Sequence, residues 1–303
     1  MSKFKEFKYK NLRDEFSHLK AEMAKDLIHK VRPASIEKIK NKLSGKVALL
    51  TGGASGIGYS IAKSFLNHGL SALTIADIHR LNGTEAIKDL TLQFGEDKVM
   101  FIECDVTRRN QLDCAFQETL KHFTRLDIVV NNAGIMNDAV WEKEIHTNIG
   151  GCLIGSLLGL QYMSKTSNGN GGIIINMASI IGLMPCNGFP IHTMTQYGIV
   201  GLSRAFGGHY KRTRVKVIGF CPGLTQSQLI EKAHRNTLNG HFARVFRKEV
   251  EGCYLQHPDF VGDGLVKVID KARPGSIWFI ENNDQPHEVH FPALSSMIRE
   301  KLY

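Results

Sequence analysis

The sequence predicts an α/β fold: one Rossmann-like, doubly wound parallel sheet of about seven strands with helices on both faces, preceded by a helical extension. Three observations carry that expectation. From residue 45 onward, short β-rich apolar runs alternate with amphipathic stretches of helical period. Most of the runs are nearly continuous in apolar residues, as strands covered on both faces require. The 303-residue chain is 43% hydrophobic and 22% charged, which is enough to bury a sizeable core and too apolar for a disordered chain.

Residues 1–10 alternate Lys with Phe or Tyr, a pattern for a solvated terminus or for contact with an anionic surface. Leu12, Phe16, Leu19, Met23, Leu27 and Val31 then recur at steps of three and four, which predicts an amphipathic helix ended by Pro33. Ile36, Ile39 and Leu43 predict a second, shorter helix. Residues 1–44 thus read as a basic helical extension and 45–303 as a single domain. In the body, strands are expected at Val47–Leu50, Ala72–Ala76, Val99–Ile102, Ile128–Val130, Gly172–Asn176, Val215–Phe220 and Ile277–Ile280. Helices are expected at about 57–67, 81–94, 108–124, 142–165 and 193–211. Strands alternating with helices imply right-handed crossovers and a parallel sheet.

Charge is unevenly placed. Residues 1–46 hold 13 Lys/Arg against 6 Asp/Glu, and the remainder hold 25 against 23. Any basic contact surface therefore belongs to the extension, open to a partner or an anionic surface, while the near-neutral body argues against nucleic acid. No apolar run reaches the length of a transmembrane helix, and the N-terminus has no apolar core of a secretory signal. The six cysteines form no CxxC pair and no zinc spacing with histidine. They are expected to be buried free thiols in a reducing, cytoplasmic compartment, and no metal site is expected.

The first predicted strand runs into Thr51-Gly52-Gly53-Ala54-Ser55-Gly56-Ile57-Gly58, and a helix follows. Glycine permits the sharp turn and close approach of a pyrophosphate, and the helix start offers free N–H groups and a positive dipole end. Asp77 ends the second strand 19 residues after Gly58, where an acid can hold the adenosine ribose hydroxyls. A carboxylate there repels a 2′-phosphate, which favours NAD over NADP, although Arg80 nearby softens the preference. Asp77 also suits a plain turn-capping role.

With these landmarks the chain resembles the short-chain dehydrogenases/reductases over about residues 44–285, most of all the insect alcohol dehydrogenase and 15-hydroxyprostaglandin dehydrogenase group. Thr51, Gly52, Ser55, Gly56, Ile57 and Gly58 resemble that family's nucleotide loop. Asp105-Val106 resembles its adenine-contacting pair, and Asn132, Ala133 and Gly134 lie in the NNAG signature that Asn131 opens. Asn148 resembles the helix asparagine of the proton relay, and Ser179 the serine that orients the substrate oxygen. Pro222-Gly223 resembles the turn after the sixth strand, with Thr225 where the family contacts the nicotinamide carboxamide. The extension has no counterpart in the family pattern.

The resemblance breaks at the centre. The family's acid/base tyrosine falls 13 residues past Ser179, on His192, and the lysine that lowers the tyrosine's pKa falls on Gln196. Tyr197 and Tyr162 stand at the wrong spacing to replace it. Gln196 can still bond ribose hydroxyls, so the resemblance implies a retained cofactor site. Two readings stay open: a cofactor-binding pseudoenzyme or weak oxidoreductase, and an active NAD-dependent oxidoreductase in which His192 is acid/base with Ser179 and Asn148.

The segment Ser227–Tyr254 carries Leu229, Ile230, Leu238, Phe242, Val245, Phe246 and Tyr254, which suit either an apolar pocket for a hydrophobic alcohol or ketone or the buried faces of two helices. The resemblance also implies a homodimer or homotetramer built on the helices near 108–124 and 148–165. In the latter, Gly150, Gly151, Gly155, Ser156 and Gly159 permit close packing, between subunits or within one.

Overall fold

A computed structural model of the chain describes residues 42–297. The chain divides into two units, Met1–Lys42 and Leu43–Tyr303. The helices expected over residues 12–43, and the Lys-aromatic stretch before them, lie almost wholly outside the described residues.

Strands β1 (Val47–Thr51), β2 (Ala72–Asp77), β3 (Val99–Glu103), β4 (Ile128–Asn131), β5 (Gly172–Met177), β6 (Val215–Pro222), β7 (Ile277–Ile280) and β8 (His287–Glu288) form one sheet. Its order is β3-β2-β1-β4-β5-β6-β7-β8. All neighbours are parallel except β7 and β8, where Trp278 pairs antiparallel with Glu288. The sheet is thus Rossmann-like and has eight strands where about seven were expected. The extra edge strand is two residues long and exposed, so it carries no apolar run for periodicity to detect.

Every residue of β1, β2 and β4 is buried. That is the physical reason these runs show no alternation: helices cover both faces. On one side Leu50, Ile61, Phe65, Ile75, Val130 and Leu265 belong to one core cluster. On the other, Leu49, Phe116, Val129, Leu158 and Ile174 belong to a second. Each such fully buried side chain contributes roughly 1.5–3 kcal/mol relative to exposure.

The crossover helices are α1 (Gly56–Asn67), α2 (Arg80–Phe94) and α3 (Arg109–Phe123), followed after β4 by α4 (Trp141–Ile145) and α5 (Cys152–Met163). Beyond β5 come α6 (Pro190–Gly207), α7 (Gln228–Lys232), α8 (Gly240–Val250) and α9 (Pro258–Ile269). The single helix expected at 142–165 is interrupted by a π-helical turn at His146–Gly151. Such widened turns are frequent at functional sites, and this one holds Asn148. Of the glycines in and after it, Gly151, Gly155 and Gly159 pack within the subunit, while a Cβ on Gly150 would meet nothing within 4 Å. A Cβ on Gly151 would lie 2.6 Å from Val106 Cγ2, one on Gly155 2.0 Å from Asn131 Oδ1, and one on Gly159 2.8 Å from Ile174 Cδ1. Ser156 is buried with them.

The strand order reverses between β1 and β4. At such a switch point the crossovers leave in opposite directions and a crevice opens beyond the carboxyl ends of the strands. Thr51 ends β1 and Asn131 ends β4 at that place.

The thiols only partly follow expectation. Cys104, Cys152 and Cys221 are buried and Cys186 is half-buried, but Cys114 and Cys253 are exposed. Those two lie within α3 and just past α8, exposed among the described residues.

Candidate functional site

The first part of the site is a glycine cradle. Gly52 and Gly56 have φ of +64° and +53°, the left-handed region that glycine enters at no steric cost. A Cβ on Gly58 would stand 2.0 Å from Gly52 O, and one on Gly52 2.7 Å from Ala133 Cα. Only glycine lets these segments close on each other. Thr51 Oγ1 accepts hydrogen bonds from Asn132 N and Ala133 N at 3.0 and 3.1 Å, and Asn132 Nδ2 donates to Thr51 O and Gly52 O at 3.1 and 2.9 Å. Thr51, Gly52, Gly58, Asn132 and Ala133 therefore form one locked wall.

Ser55 and Gly56 at the start of α1 are exposed, with Ile57 half-buried behind them. Ser55 makes no side-chain cap, so the first N–H groups of α1 stay open to an anion. This open helix start, with a cradle that a Cβ would fill, suits the pyrophosphate of a dinucleotide.

Asp77 is buried. Its Oδ2 accepts from Ala54 N at 3.0 Å and its Oδ1 from His79 N at 3.0 Å. The carboxylate thus braces the glycine loop from behind. Asp105 likewise serves its own turn, accepting from Thr107 N and Oγ1 at 2.9 and 2.7 Å, while Val106 packs on Gly151. At the far side Gly223 N donates to Ile280 O at 2.8 Å, which holds the Pro222-Gly223 turn against β7. Thr225 is buried, donating to Gly223 O at 2.9 Å and accepting from Gln256 Nε2 at 3.1 Å.

The second part of the site is built on α6 and the π-turn. Asn148 Oδ1 accepts from Ile135 N at 2.8 Å and its Nδ2 donates to Ile135 O at 2.9 Å. The same amide reaches Thr195 Oγ1 at 3.1 Å and His192 Nδ1 at 3.4 Å. Gly134 lies beside it, since a Cβ there would be 3.2 Å from Asn148 Oδ1. Asn148 thereby links the segment after β4 to α6. Gln196 is buried one turn along α6, its Nε2 3.3 Å from Thr195 Oγ1.

His192 has a partner that motif spacing did not single out. Its Nδ1 lies 2.6 Å from Glu144 Oε1, with the His192 side chain 12% exposed and that of Glu144 fully buried. Glu144 Oε2 also accepts from Asn137 N at 3.2 Å. A second buried acid, Asp138, accepts from Ile191 N and His192 N at 2.9 and 3.0 Å. Phe189, the N-cap residue of α6, makes no side-chain cap, so Asp138 supplies that service from outside the helix. Burial pushes the Asp138 carboxyl up to about 6; the two N–H groups pull the other way and neighbouring Glu144 adds to the rise. One signal for Glu144 did exist. It stands four residues before Asn148, hence on the same helix face, and a carboxylate on an inward face needs a partner.

Ser179 serves its own turn. Its Oγ accepts from Ile181 N at 3.4 Å and caps the turn Ile180–Gly182. That turn packs on α6, where a Cβ on Gly182 would be 2.7 Å from Gln196 O. The structure therefore brings Asn148, His192 and Gln196 together through Thr195 and sets Ser179 on the neighbouring turn.

The segment Ser227–Tyr254 divides. Phe246 is buried, edge-on to Phe189 at 4.9 Å, with Met136 and Ala233 in the same cluster and Ile230 packed against it. Leu229, Leu238 and Tyr254 are exposed, and Phe242 and Val245 half-buried. Among the described residues no group of acids, histidines and cysteines has the arrangement of a metal site, and no helix is long and apolar enough to cross a membrane.

Comparison with known proteins agrees with this architecture. The family profile described as short chain dehydrogenase matches residues 46–237. The chain is 35% identical over 267 residues to the mouse protein named 15-hydroxyprostaglandin dehydrogenase (NAD(+)), covering 86% of this chain and 98% of the relative. It is 35% identical to the human protein of that name over 251 residues, 81% of this chain and 94% of the relative. Alcohol dehydrogenase 1 of Ceratitis capitata is 30% identical over 242 residues, 78% and 91% respectively.

Proposed function

The chain belongs to the short chain dehydrogenase family, and on that footing we propose that it is an NAD-dependent oxidoreductase of a hydrophobic alcohol or ketone, with His192 as its proton donor and acceptor. The setting of His192 carries the reading. The ring stands where the family's tyrosine is expected, its side chain 12% exposed, hydrogen-bonded to a buried carboxylate and beside Asn148. A histidine kept merely as inherited packing would not need a fully desolvated carboxylate at 2.6 Å. Imidazole exchanges protons near neutral pH without the neighbouring cation that a phenol needs.

Thr51, Gly52, Ser55, Gly56, Ile57 and Gly58 would hold the pyrophosphate, Asp77, Asp105 and Val106 the adenosine, and Asn132, Ala133, Gly134, Gln196, Pro222, Gly223 and Thr225 the nicotinamide half. When bound, NAD supplies the hydride acceptor, and its reduced form the donor. His192 takes or returns the hydroxyl proton, Ser179 orients the substrate oxygen, and Asn148 holds α6 in register with the strand ends. Asp77 favours NAD over NADP by repelling a 2′-phosphate, in keeping with the cofactor printed in the name of the mammalian relatives. The reading includes a cytoplasmic homodimer or homotetramer, with exposed Leu153 and Leu157 of α5 as contact residues.

One observation favours a second reading, a cofactor-binding pseudoenzyme with a structural, storage or regulatory role. Gln196 is uncharged and already engaged with Thr195, so nothing at that position reproduces a lysine's field. Loss of acid–base assistance costs roughly 100- to 10,000-fold in rate. A fluorescence titration with NADH and NADPH, followed by turnover on a panel of apolar secondary alcohols and ketones, separates the two. Micromolar NADH binding with NAD-linked turnover that His192→Ala abolishes is the expected result. NADH binding without turnover, with activity appearing only in His192→Tyr/Gln196→Lys, would establish the second reading.

A further inference from the structure

We propose that Glu144 is a positioning residue that holds the His192 ring in the Nδ1–H tautomer and leaves Nε2 as the nitrogen that exchanges the substrate proton. The inference rests on the oxidoreductase reading and deepens it by assigning the working atom and the group that sets it.

Glu144 Oε1 is 2.6 Å from Nδ1, a charge-assisted distance, and the carboxylate has no access to water. An ionised carboxylate only accepts, so this contact requires the proton on Nδ1. The other groups around the ring do not compete for it. Asn148 Nδ2 lies 3.4 Å from Nδ1 and is committed to Ile135 O and Thr195 Oγ1 at shorter range. Its amide orientation is fixed because Oδ1 accepts from Ile135 N. Asp138 faces the backbone of His192, accepting from its N–H and from that of Ile191, and its side chain also lies against Glu144 rather than the ring. With Nδ1 occupied, only Nε2 remains for a ligand.

The step balances simply. In the oxidising direction the hydroxyl proton of the alcohol passes to Nε2 while the carbinol hydride leaves to the oxidised dinucleotide, giving the carbonyl. The imidazolium formed has Glu144 as its counter-charge, and the Nε2 proton then leaves to water. Reduction runs the same path backward. Glu144 acts in the opposite sense to the family's lysine: its negative charge favours the protonated ring and so strengthens His192 as a base, where a lysine favours a deprotonated tyrosine. In other enzymes that hold a histidine this way, exchanging the carboxylate for an amide leaves the geometry intact, inverts the tautomer and lowers kcat by about 10,000-fold.

The test is Glu144→Gln, with Glu144→Asp as the conservative partner that keeps a carboxylate. Histidine-labelled protein without substrate is read by 15N NMR, His192 being assigned by its disappearance in His192→Gln. Wild-type protein is expected to show protonated Nδ1 and bare Nε2. In Glu144→Gln the ring is expected to turn to protonated Nε2, because the amide can donate to Nδ1. NADH affinity should stay within about threefold, and kcat should fall about 100-fold or more with KM little changed. Glu144→Asp should keep the wild-type tautomer and recover part of kcat; it also decides the case if the Gln variant does not fold. A wild-type ring protonated at Nε2, or a tautomer and kcat that Glu144→Gln leaves unchanged, overturns the positioning role while leaving the oxidoreductase reading intact. Absence of turnover in wild type beside a normal Nδ1–H signal refutes the oxidoreductase reading instead, and with it the step at Nε2.

Discussion

Gly58→Ala would test the glycine cradle most directly. Residue 58 is helical, in the first turn of α1, so by propensity alone alanine should stabilise it by about 1 kcal/mol. The tertiary setting opposes this. The added Cβ would lie 2.0 Å from Gly52 O and 2.6 Å from Asn132 Nδ2. Ordinary contact begins near 3.4 Å, so the Gly52 carbonyl and the helix start must part by more than 1 Å. Neither is a flexible side-chain end, and Gly52 O is also the acceptor of Asn132 Nδ2 at 2.9 Å. Overpacking of this kind costs about 1–3 kcal/mol, and loosening the Asn132 bond adds about 1. Set against the propensity gain, a net loss near 2 kcal/mol is expected. In a domain of this size that lowers Tm by roughly 4–8 °C. The displaced loop should also weaken NADH binding by tenfold or more, since its N–H groups no longer converge. Gly201→Ala is the control: residue 201 lies in α6 and a Cβ there meets nothing within 4 Å, so Tm should hold or rise. Thermal melts and NADH titration of both variants decide it. Equal behaviour of the two, or a Gly58→Ala protein with wild-type Tm and affinity, would refute the cradle argument.

Two further expectations follow from the buried titratable groups. Asp138 holds its proton to about 6 against an ordinary value of 3.8, so between those values the folded state binds more proton than the unfolded. Its contribution is therefore fully present below about 4 and is lost as pH rises through about 6. Glu249, held below the usual range by the Gly188 and Asn187 N–H groups despite its partial burial, acts with the opposite sign, so denaturation of Asp138→Asn must be compared with wild type at each pH; the wild-type advantage at pH 4–5 should shrink by pH 7. Alkylation mapped by mass spectrometry should label exposed Cys114 and Cys253 first. Cys186, pushed up to about 12 by burial and by Glu249, and buried Cys104, Cys152 and Cys221 should resist until the protein unfolds.

The fold was legible in residues 45–280 because its signal is local. A strand covered on both faces must be apolar at successive positions, and a glycine loop between strand and helix has few other uses. Val47, Ala72, Val99, Ile128, Gly172, Val215 and Ile277 all begin strands where the apolar runs begin. The glycine cradle was legible for the same reason, since Gly52, Gly56 and Gly58 report backbone geometry directly. The π-turn at His146–Gly151 was not, because the apolar pattern continues through it, nor was β8, too short to carry a pattern.

The centre of the site divides along the same line. The expectation that a histidine and a glutamine stand at the positions of the family's tyrosine and lysine comes from counting along the chain from Ser179. What surrounds His192 could not be counted. Glu144 comes 48 residues earlier on another helix, Asp138 comes from the segment before it, and Asn148 is aimed by a turn wider than an α-helix. Pairing a buried carboxylate with a particular ring nitrogen depends on how α4 and α6 pack over the strand ends. Only the tertiary structure decided that, because the desolvation and the 2.6 Å contact that give the pair its strength exist only once the chain has closed around them.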